Sequence, residues 1–496
     1  MSELERRRWW VLVTASIGMF MATLDSSIVA VALPVMGPHL RLSYSEGLWV
    51  QAAYILVVTI LVIPVGRLAD MHGPLRFYTL GVFLFGLFSV AAAFSPGGLF
   101  LVMARGFQGV GGALLTATSP AIVTAAFPPE ERGRAIGLNI MFGTIGLSLG
   151  PPLGGLIATH LGWRWIFLIN GPIALITLVL GWNLLGAERR DRAAEAIRRP
   201  TKEQSRRLDA MGAALLGMTL TALFVPLIFS PLWGWANAQT VGLLSLAVIS
   251  AFAFVIRESR VNDPMLDLDL FRRNRVFAAA NTAALLFMGA TYGVTVFTAV
   301  FLEVVQGRSA SQAGLALLAQ PAIMTAVAPF AGRLSDRVGS RGLAGGGMFV
   351  VAAGMAELAL LSSAASIWRV LAALATVGLG IAFFGAPNMS AVMGSVDRSR
   401  LGVASGVRFT MSLSGQGLSI AVLGAIAASQ LGPAGGRVIL LGKSAGISSA
   451  QAFAAGYREA MVTGIALALA AALASLAAKP RSENEDLSEP QAIPVR

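Results

Sequence analysis

Two oppositely charged side chains, Asp25 and Arg105, lie inside long apolar stretches of this sequence, where charged residues are rare. A charge at the centre of a lipid bilayer costs about 2.5–3.5 kcal/mol or more, so a charged residue in such a stretch is a functional candidate by default. Asp25 precedes Pro34 by nine residues, which is about 13 Å along a helix. Arg105 lies at a similar depth in its own stretch, so we predict that the two side chains pair between neighbouring helices.

Two chemical roles are open to this pair. As a proton-coupling site, Asp25 binds a proton, Arg105 balances its charge, and a cationic substrate competes with the proton. As a structural ion pair, the same two residues hold their helices together permanently. The proton-coupling hypothesis predicts that Asp25→Asn abolishes proton-driven activity and leaves the protein folded.

Three further charged residues lie within the apolar stretches. Glu303 lies near the end of one stretch. It is predicted as a second proton-coupling site or as a site that attracts cations at the outer surface. A solvated helix end is the alternative. Glu357 is predicted to lie deep in a later stretch as a third proton-coupling candidate. Arg408 is predicted either to extend to the nearer membrane surface or to bind Asp70 or Asp336 at a gate.

Enzymatic motifs are absent or out of context. Residues 146–150 satisfy a GxSxG pattern, but they lie in the middle of an apolar stretch with no preceding strand, so they do not form a nucleophile elbow. No P-loop is present, which argues against an ATP-driven protein. The sequence has no cysteine and three scattered histidines, so no thiol chemistry and no metal site are expected. We expect a protein that is not an enzyme, has no cofactor and uses a proton gradient.

Composition indicates which elements position these residues. Hydrophobic residues make up 56% of the 496 residues and charged residues 12%, whereas soluble domains have about 25% charged residues. A soluble class is therefore excluded, and an all-α polytopic membrane protein is predicted. Fourteen stretches are long enough to cross a bilayer as helices of about 20 residues. They span residues 9–34, 48–69, 76–95, 97–120, 135–159, 165–186, 210–229, 239–256, 276–303, 312–332, 342–363, 367–391, 402–428 and 458–478.

Basic residues are distributed unevenly over the predicted loops. Of the 37 Lys and Arg residues, 28 lie at the termini and in the loops after even-numbered spans, 7 lie on the other side, and Arg105 and Arg408 lie within spans. Loops rich in Lys and Arg remain cytoplasmic. We therefore predict a multi-pass protein of the plasma (inner) membrane with both termini in the cytoplasm. The net charge of +12 is explained by this topology, so no nucleic-acid partner is expected.

The sequence pattern of the loop after the second span occurs again in the loop after the tenth span. Residues 66–73 and 332–339 share the pattern GRLxDxxG at equivalent positions, which indicates duplicated halves. Glycine allows two helix ends to approach closely, and an aspartate at the membrane rim can bind basic side chains or a helix N-terminus. We predict that these loops form gates. The predicted gating residues are Gly66, Asp70, Gly73, Gly332, Asp336 and Arg337.

These loops and several further motifs resemble those of the major facilitator superfamily, specifically its fourteen-helix drug:proton antiporter branch. The other matching strings are LDSSIVAVALP at 24–34, RGFQG at 105–109, GPPLGG at 150–155, WRWIFLINGP at 163–172 and GVASG at 402–406. Pro74 and Leu75 depart from the pattern, because the superfamily usually has basic residues there. The gate is therefore expected to be weaker in this chain.

The resemblance implies two pseudo-symmetric six-helix bundles with two helices inserted between them. The corresponding segments are an N-terminal six-helix bundle (1–186), a charged cytoplasmic linker (187–209), two inserted helices (210–256), a cytoplasmic connection (257–275), a C-terminal six-helix bundle (276–478) and a disordered cytoplasmic tail (479–496).

By the same resemblance, the first, fourth, ninth and twelfth spans line a substrate pocket. Aromatic and Met side chains offer adaptable apolar contacts and cation–π attraction, and packing against lipid or other helices is the alternative for each. The candidate pocket residues are Phe20, Met21, Phe107, Gln108, Phe287, Phe383, Phe384, Asn388 and Met389. In the fifth span, Gly150, Pro151 and Gly154 are predicted to allow close packing and a bend where the halves rock.

Together these predictions indicate a secondary transporter that exchanges protons for hydrophobic, cationic compounds and exports them by alternating access. The expected partners are the lipid bilayer, protons and small hydrophobic or cationic substrates, and the protein is expected to be monomeric. Two alternatives remain open. One is export of an endogenous lipid or metabolite, and the other is a membrane receptor or sensor that binds a ligand without moving it.

Overall fold

The computed structural model describes residues 3–196, 209–261, 268–396, 401–431 and 447–477. Fourteen helices in these ranges are long and apolar enough to cross a membrane. We label them α1 to α14 in chain order. Their bounds are α1 Glu3–Leu40, α2 Tyr44–His72, α3 Pro74–Ala93, α4 Gly98–Ala126, α5 Pro129–His160, α6 Asn170–Ala196, α7 Ala210–Trp233, α8 Ala238–Glu258, α9 Arg275–Val300 with a π-helical turn Phe301–Val305, α10 Ala310–Leu317 and Ala319–Val338, α11 Ser340–Ala359, α12 Ile367–Gly394, α13 Leu401–Leu418, Ser419–Leu423 (π-helical) and Gly424–Ala428, and α14 Ile447–Ala477.

The predicted all-α polytopic fold is confirmed, and several helix boundaries differ from the prediction, two of them in the connections between spans. α6 continues to Ala196, so the start of the stretch predicted as a linker is helical. α14 begins at Ile447 rather than near residue 458. Residues 447–457 are rich in alanine and contain no proline, so they extend the helix ahead of the apolar span. The predicted acidic tail, residues 479–496, lies outside the described residues.

Helices α1–α6 pack as one half of the molecule and α9–α14 as the other. In the first half, α1 packs against the glycine-rich face of α5. A Cβ atom on Gly146 would stand 2.6 Å from the Phe20 carbonyl oxygen, and one on Gly154 would stand 2.7 Å from the Ile28 carbonyl oxygen. Glycine therefore permits the two helix backbones to touch, as is common between membrane helices.

The two inserted helices lie at the junction of the halves. α7 packs on α8 and also contacts α2 and α13. Phe224 of α7 is fully buried in a cluster with Leu56 of α2, and Leu418 of α13 packs against that cluster. α7 therefore contacts both halves.

The duplicated loops adopt the same backbone conformation. Gly73 ends α2 and begins α3 with φ 98°, and Gly339 ends α10 and begins α11 with φ 87°. These positive φ values favour glycine, because a Cβ atom would be strained there. The repeat therefore encodes two matching tight turns between helices. The side chains of Asp70 and Asp336, one turn before each glycine, lie outside the described part of the structure.

We call the membrane surface where α1 begins the terminal face and the opposite surface the distal face. The two halves meet closely near the distal face, where α5 approaches the start of α10. A Cβ atom on Gly155 would stand 2.3 Å from the Ala310 carbonyl oxygen, and one on Gly314 would stand 2.4 Å from the Pro151 carbonyl oxygen. Here again backbone packs directly on backbone.

In the described part of the chain, hydrogen bonds between the halves lie at the membrane centre or nearer the distal face. Ser311 N donates to Thr159 Oγ1 at 3.1 Å, and Tyr44 Oη donates to the Gly424 carbonyl oxygen at 3.2 Å. Met141, nearer the terminal face on α5, is exposed. The halves are thus closed at the distal face, and nearer the terminal face Ile63 of α2 packs against the apolar cluster around Phe277 of α9.

Candidate functional site

Asp25 of α1 and Arg105 of α4 form an ion pair in the interior of the N-terminal half, and both side chains are 0% exposed. Arg105 Nη1 donates to Asp25 Oδ2, and Gln108 Nε2 donates to Oδ1 at 3.0 Å. Asn170 Nδ2 of α6 donates to the same Oδ1 at 2.9 Å. The carboxylate therefore accepts hydrogen bonds from two other helices and is sealed from solvent. The predicted contact is present, while its role in proton coupling stays a prediction.

Arg105 is held by groups on three helices. Its Nε donates to the Val50 carbonyl oxygen of α2 at 3.0 Å, and Nη1 also donates to Gln108 Oε1 at 2.6 Å. The guanidinium carbon lies 4.5 Å from the centre of the Tyr54 ring, so a cation–π contact adds to the ion pair with Asp25. Nη2 is buried and has no hydrogen-bond partner among the described residues. The cluster therefore has one unused donor beside its carboxylate.

The sequence prediction missed two members of this cluster, Asn170 and Ser89. Asn170 Nδ2 donates to Ser89 Oγ of α3 at 3.0 Å as well as to Asp25, and Ser89 Oγ donates to the Phe167 carbonyl oxygen at 2.9 Å. Both residues are 0% exposed. The available signal was an asparagine within an apolar stretch, because a buried amide needs hydrogen-bond partners.

Three consecutive residues of α1 contact three different parts of the molecule. Asp25 points into the N-terminal half, whereas the Ser26 carbonyl oxygen accepts a hydrogen bond from Tyr292 Oη of α9 at 3.1 Å. Ser27 lies against α5, where a Cβ atom on Gly150 would stand 1.8 Å from Ser27 Oγ. Successive helix residues differ in direction by about 100°, so one turn of helix makes all three contacts. The carboxylate is thereby linked to the contact between the halves.

The buried pair has a specific electrostatic property. While Asp25 is ionised, its charge and that of Arg105 compensate each other, and the polar neighbours saturate the carboxylate. Loss of either charge would leave the other buried without a counter-charge in this cluster, which is strongly unfavourable.

The two glutamates predicted as further proton-coupling candidates lie away from the Asp25–Arg105 pair. Glu303 lies in the π-helical turn at the distal end of α9, and its buried Oε1 has no hydrogen-bond partner among the described residues. Glu357 is exposed and lies in the last turn of α11, which ends at Ala359. The prediction that Glu357 lies deep in the membrane is therefore wrong, because the apolar stretch continues beyond the helix end.

The predicted pocket residues do not form a single lining. Phe107 is 56% exposed and stacks on Phe88 of α3 at 4.9 Å, so it faces outward rather than into a pocket. Gln108 and Met21 are fully buried, and Gln108 belongs to the Asp25 cluster.

In the C-terminal half, the rings of Phe287 of α9 and Phe384 of α12 lie 4.4 Å apart inside the bundle and are tilted by 31°. Asn388 is buried one turn further along α12. Three other candidates are half-buried, namely Phe20, Phe383 and Met389.

Arg408 of α13 takes a direction that the sequence did not predict. Its Nε donates to Asn388 Oδ1 at 3.0 Å, and Nη1 donates to Ser412 Oγ. Ser412 follows Arg408 by one turn and lies further from the terminal face. The side chain therefore points into the membrane interior, and the prediction that it extends to the nearer surface is wrong.

The sequence profile described as Major Facilitator Superfamily matches residues 15–420. The chain belongs to the major facilitator superfamily. It is 34% identical over 429 residues to "Multidrug resistance protein Stp" of Mycobacterium tuberculosis, which covers 86% of this chain and 77% of that protein. It is 32% identical over 439 residues to "Tetracenomycin C resistance and export protein" of Streptomyces glaucescens, covering 87% of this chain and 78% of that one.

Solved structures agree on the fold. A bacterial homologue of the human lysosomal transporter Spinster matches with a TM-score of 0.67 at 17% identity, covering 96% of this chain and 98% of that one. As a member of the major facilitator superfamily, the protein is a membrane transporter and not an enzyme.

The predicted gating residues of this superfamily member occupy two kinds of position. Gly150, Pro151 and Gly154 lie in the tight packing of α5 on α1 and α10. Gly66 and Gly332 make no close contact at the Cβ position, and Arg337 is exposed near the terminal face. The tight contacts are thus at the distal side of the transporter.

The inserted helices carry a second charged site, at the terminal face. Asp209 precedes α7, its side chain is 2% exposed, and it accepts hydrogen bonds from Gly212 N at 2.9 Å and from Arg257 Nη2 at 3.2 Å. Burial alone raises the pKa of Asp209, but the Gly212 amide and the Arg257 guanidinium outweigh it and hold that pKa below its ordinary value. This site fixes the ends of α7 and α8 to each other.

Proposed function

We propose that this transporter is a proton-coupled antiporter that exports hydrophobic compounds, cationic ones among them, by alternating access. The observation that carries the proposal is the sealed Asp25–Arg105 pair, joined by the adjacent Ser26 carbonyl to Tyr292 of the opposite half. A change of charge at Asp25 therefore affects the hydrogen bond by which the two halves meet.

The relatives support export of drug-like compounds. The names of two relatives describe multidrug resistance and tetracenomycin C resistance and export. Both match more than three quarters of their own length, so the resemblance covers the transport domain and not a fragment of it.

The proposed coupling uses the electrostatic asymmetry of the cluster. In the distal-closed state Asp25 is ionised and held by Arg105, Gln108 and Asn170. A substrate that binds from the cytoplasm favours the distal-open state, in which the substrate leaves and a proton from outside binds Asp25. The neutral carboxylate favours return of α1 to the distal-closed state, where release of the proton to the cytoplasm restores the ion pair. Each net charge that the exchange moves down a membrane potential of 100 mV contributes about 2.3 kcal/mol to export.

Glu303 is a further proton site in this proposal. Its buried Oε1 has no partner among the described residues, and it lies on the distal side of α9, where protons enter from outside in an exporter. Glu357 is exposed at a helix end, and this position supports no coupling role.

Orientation and location are part of the same proposal. Because 28 of the 37 basic residues are predicted on the terminal side, that face is cytoplasmic and both termini lie in the cytoplasm of a bacterial-type plasma (inner) membrane. The protein acts as a monomer embedded in the bilayer and needs the proton gradient but no cofactor.

The topology is testable because the native chain contains no cysteine. Arg6→Cys lies on the terminal face and Arg369→Cys on the distal face, and both positions are exposed. In intact cells, a membrane-impermeant maleimide should label Arg369→Cys and leave Arg6→Cys unlabelled. The opposite pattern contradicts the proposed orientation.

The central experiment uses proteoliposomes with an imposed pH gradient and ethidium as the hydrophobic cation. Wild-type protein should accumulate ethidium in exchange for protons, and Asp25→Asn should reduce this exchange to background while remaining folded. Glu357→Gln is the matched control, because it removes an exposed carboxylate at a helix end. Full exchange by Asp25→Asn would contradict the assignment of Asp25.

The two alternatives give different results in the same system. A receptor or sensor binds ethidium but never accumulates it, with or without a gradient. An exporter of an endogenous lipid or metabolite leaves ethidium untouched but still shows Asp25-dependent proton flux when membrane extract is supplied.

A further inference from the structure

Arg408 carries a charge within the membrane-spanning part of α13, which runs from Ala404 to Ala428. In the described part of the structure no carboxylate pairs with it; its acceptors are the neutral oxygens of Asn388 and Ser412. Arg105 differs, because Asp25 compensates its charge. The C-terminal half therefore holds a guanidinium that is oriented but not neutralised by the side chains described.

The orientation of Arg408 is built from several contacts. Asn388 Nδ2 donates to the Ala280 carbonyl oxygen of α9 at 2.9 Å, which fixes Asn388 so that its Oδ1 receives Arg408 Nε at 3.0 Å. Ser412 Oγ accepts from Nη1 and in turn donates to the Arg408 carbonyl oxygen at 3.0 Å. We call Asn388, Arg408 and Ser412 the Arg408 cluster. It fixes two of the three guanidinium nitrogens.

The third nitrogen is available. Nη2 of Arg408 makes no hydrogen bond within the described chain and is not among the buried atoms that lack a partner, in contrast to Nη2 of Arg105. The side chain as a whole is half-buried. Nη2 therefore retains its N–H donors for a further acceptor.

A guanidinium in this state favours one class of ligand. It stays charged at all physiological pH values, and its planar N–H groups match the oxygens of carboxylate, sulfonate and phosphate groups. Neutral acceptors orient the group without compensating its charge, and an unpaired charge at membrane depth is costly. Phe384 lies one turn from Asn388 and contacts the Phe287 ring, so the surroundings of the charge are aromatic and apolar.

We propose that the Arg408 cluster binds the anionic group of an amphiphilic compound. This proposal rests on the proposed function in that the compound is a substrate of the transporter, and it names a chemical feature of that substrate. The occupant is thus an acidic or zwitterionic amphiphile with an apolar or aromatic body.

The test compares two fluorescent probes that differ by one anionic group. These are 1-anilinonaphthalene-8-sulfonate and its uncharged analogue N-phenyl-1-naphthylamine, titrated into purified protein in phosphatidylcholine nanodiscs, with empty nanodiscs subtracted. Arg408→Gln should weaken sulfonate binding about tenfold or more, as expected for loss of a charged hydrogen bond. Binding of the uncharged analogue should stay within about twofold, because its contacts are apolar.

A second variant keeps the test valid if Arg408→Gln unfolds. Asn388→Asp supplies an internal counter-charge to Arg408 and should abolish sulfonate binding in the same way, since the ion pair then forms within the protein. Arg369→Gln, which removes an exposed arginine near the distal face, is the matched control and should bind like wild type.

Unchanged sulfonate binding in both Arg408→Gln and Asn388→Asp would overturn the proposal, and so would an equal loss for the two probes. The ligand source follows from a third arm with phosphatidylglycerol in the nanodiscs. Competition with the sulfonate that depends on Arg408 identifies a lipid headgroup, and its absence identifies a soluble amphiphile. The measurement needs no proton gradient, so its outcome is independent of whether Asp25 couples protons to transport.

Discussion

Tyr292 Oη of α9 donates a hydrogen bond to the Ser26 carbonyl oxygen of α1 at 3.1 Å and lies 3.4 Å from Gln51 Oε1 of α2. This contact joins the two halves at the residue that follows Asp25. It also lies one residue before Gly293, whose N–H donates to Ser419 Oγ of α13 at 2.9 Å. The proposed proton site and the helices of the C-terminal half are thereby connected through one tyrosine.

Removal of this hydroxyl should loosen the distal closure. One intramolecular hydrogen bond contributes about 0.5–1.5 kcal/mol, so Tyr292→Phe should raise the distal-open population several-fold. A single cysteine at Leu48, which is buried against Gly424 at the distal contact, reports this opening by its maleimide labelling rate. Tyr457→Phe is the control, because it removes a buried tyrosine hydroxyl that bonds Thr298 within one half. Equal labelling in both variants would contradict the coupling role of Tyr292.

A side chain at Gly314 should prevent distal closure. Its Cβ position lies 2.4 Å from the Pro151 carbonyl oxygen, and backbone cannot give way as a flexible side chain can. Gly314→Val should therefore reduce transport to background and increase labelling of a cysteine at Leu48. Gly346→Val provides the control, because nothing lies within 4 Å of its Cβ position. Normal transport by Gly314→Val would show that the distal contact is not a gate.

Asn170 should stabilise the folded N-terminal half through the Asp25 carboxylate. Asn170→Ala removes the donor to Asp25 Oδ1 and to Ser89 Oγ, and a hydrogen bond to a charged group contributes about 1.5–3 kcal/mol. Titration with sodium dodecyl sulfate in mixed micelles measures the loss of unfolding free energy. Thr376→Ala, at a half-buried position on α12 whose hydroxyl bonds the Ala372 carbonyl oxygen of its own helix, should change it by less than about 0.5 kcal/mol. A loss for Asn170→Ala no larger than this control contradicts the proposed packing of the cluster.

Protonation of Asp209 in acid should weaken the contact between α7 and α8. Its pKa is held below the ordinary value, so its stabilising contribution is present above the ordinary pKa of about 4 and is lost as pH falls through the lower folded value. Asp209→Asn keeps a helix-capping side chain and removes the charge. Because Arg257 is largely exposed, the pair contributes about 0.2–1 kcal/mol. Thermal unfolding of wild type and variant should differ at pH 7 and converge near pH 3, and a difference that grows in acid would contradict this sign.

The sequence alone determined the helices, the duplicated turns and the Asp25–Arg105 pair. Each of these depends on local or one-dimensional constraints: the length needed to cross a bilayer, the preference for glycine at the positive φ of Gly73 and Gly339, and the cost of a charge in an apolar span. Two such costly charges at equal depth compensate each other best by meeting, so their contact followed without a fold.

The tertiary structure alone decided which way the other side chains face. Phe107 was predicted in a pocket and faces outward, Arg408 points away from the surface that it was predicted to reach, and Asn170 joins the Asp25 cluster from a distant helix. In a membrane protein the lipid and the helix interior are similarly apolar, so the pattern of apolar residues does not distinguish the two sides of a helix. Only the packing of helices against one another assigns each face to lipid, to a neighbour or to a buried polar cluster.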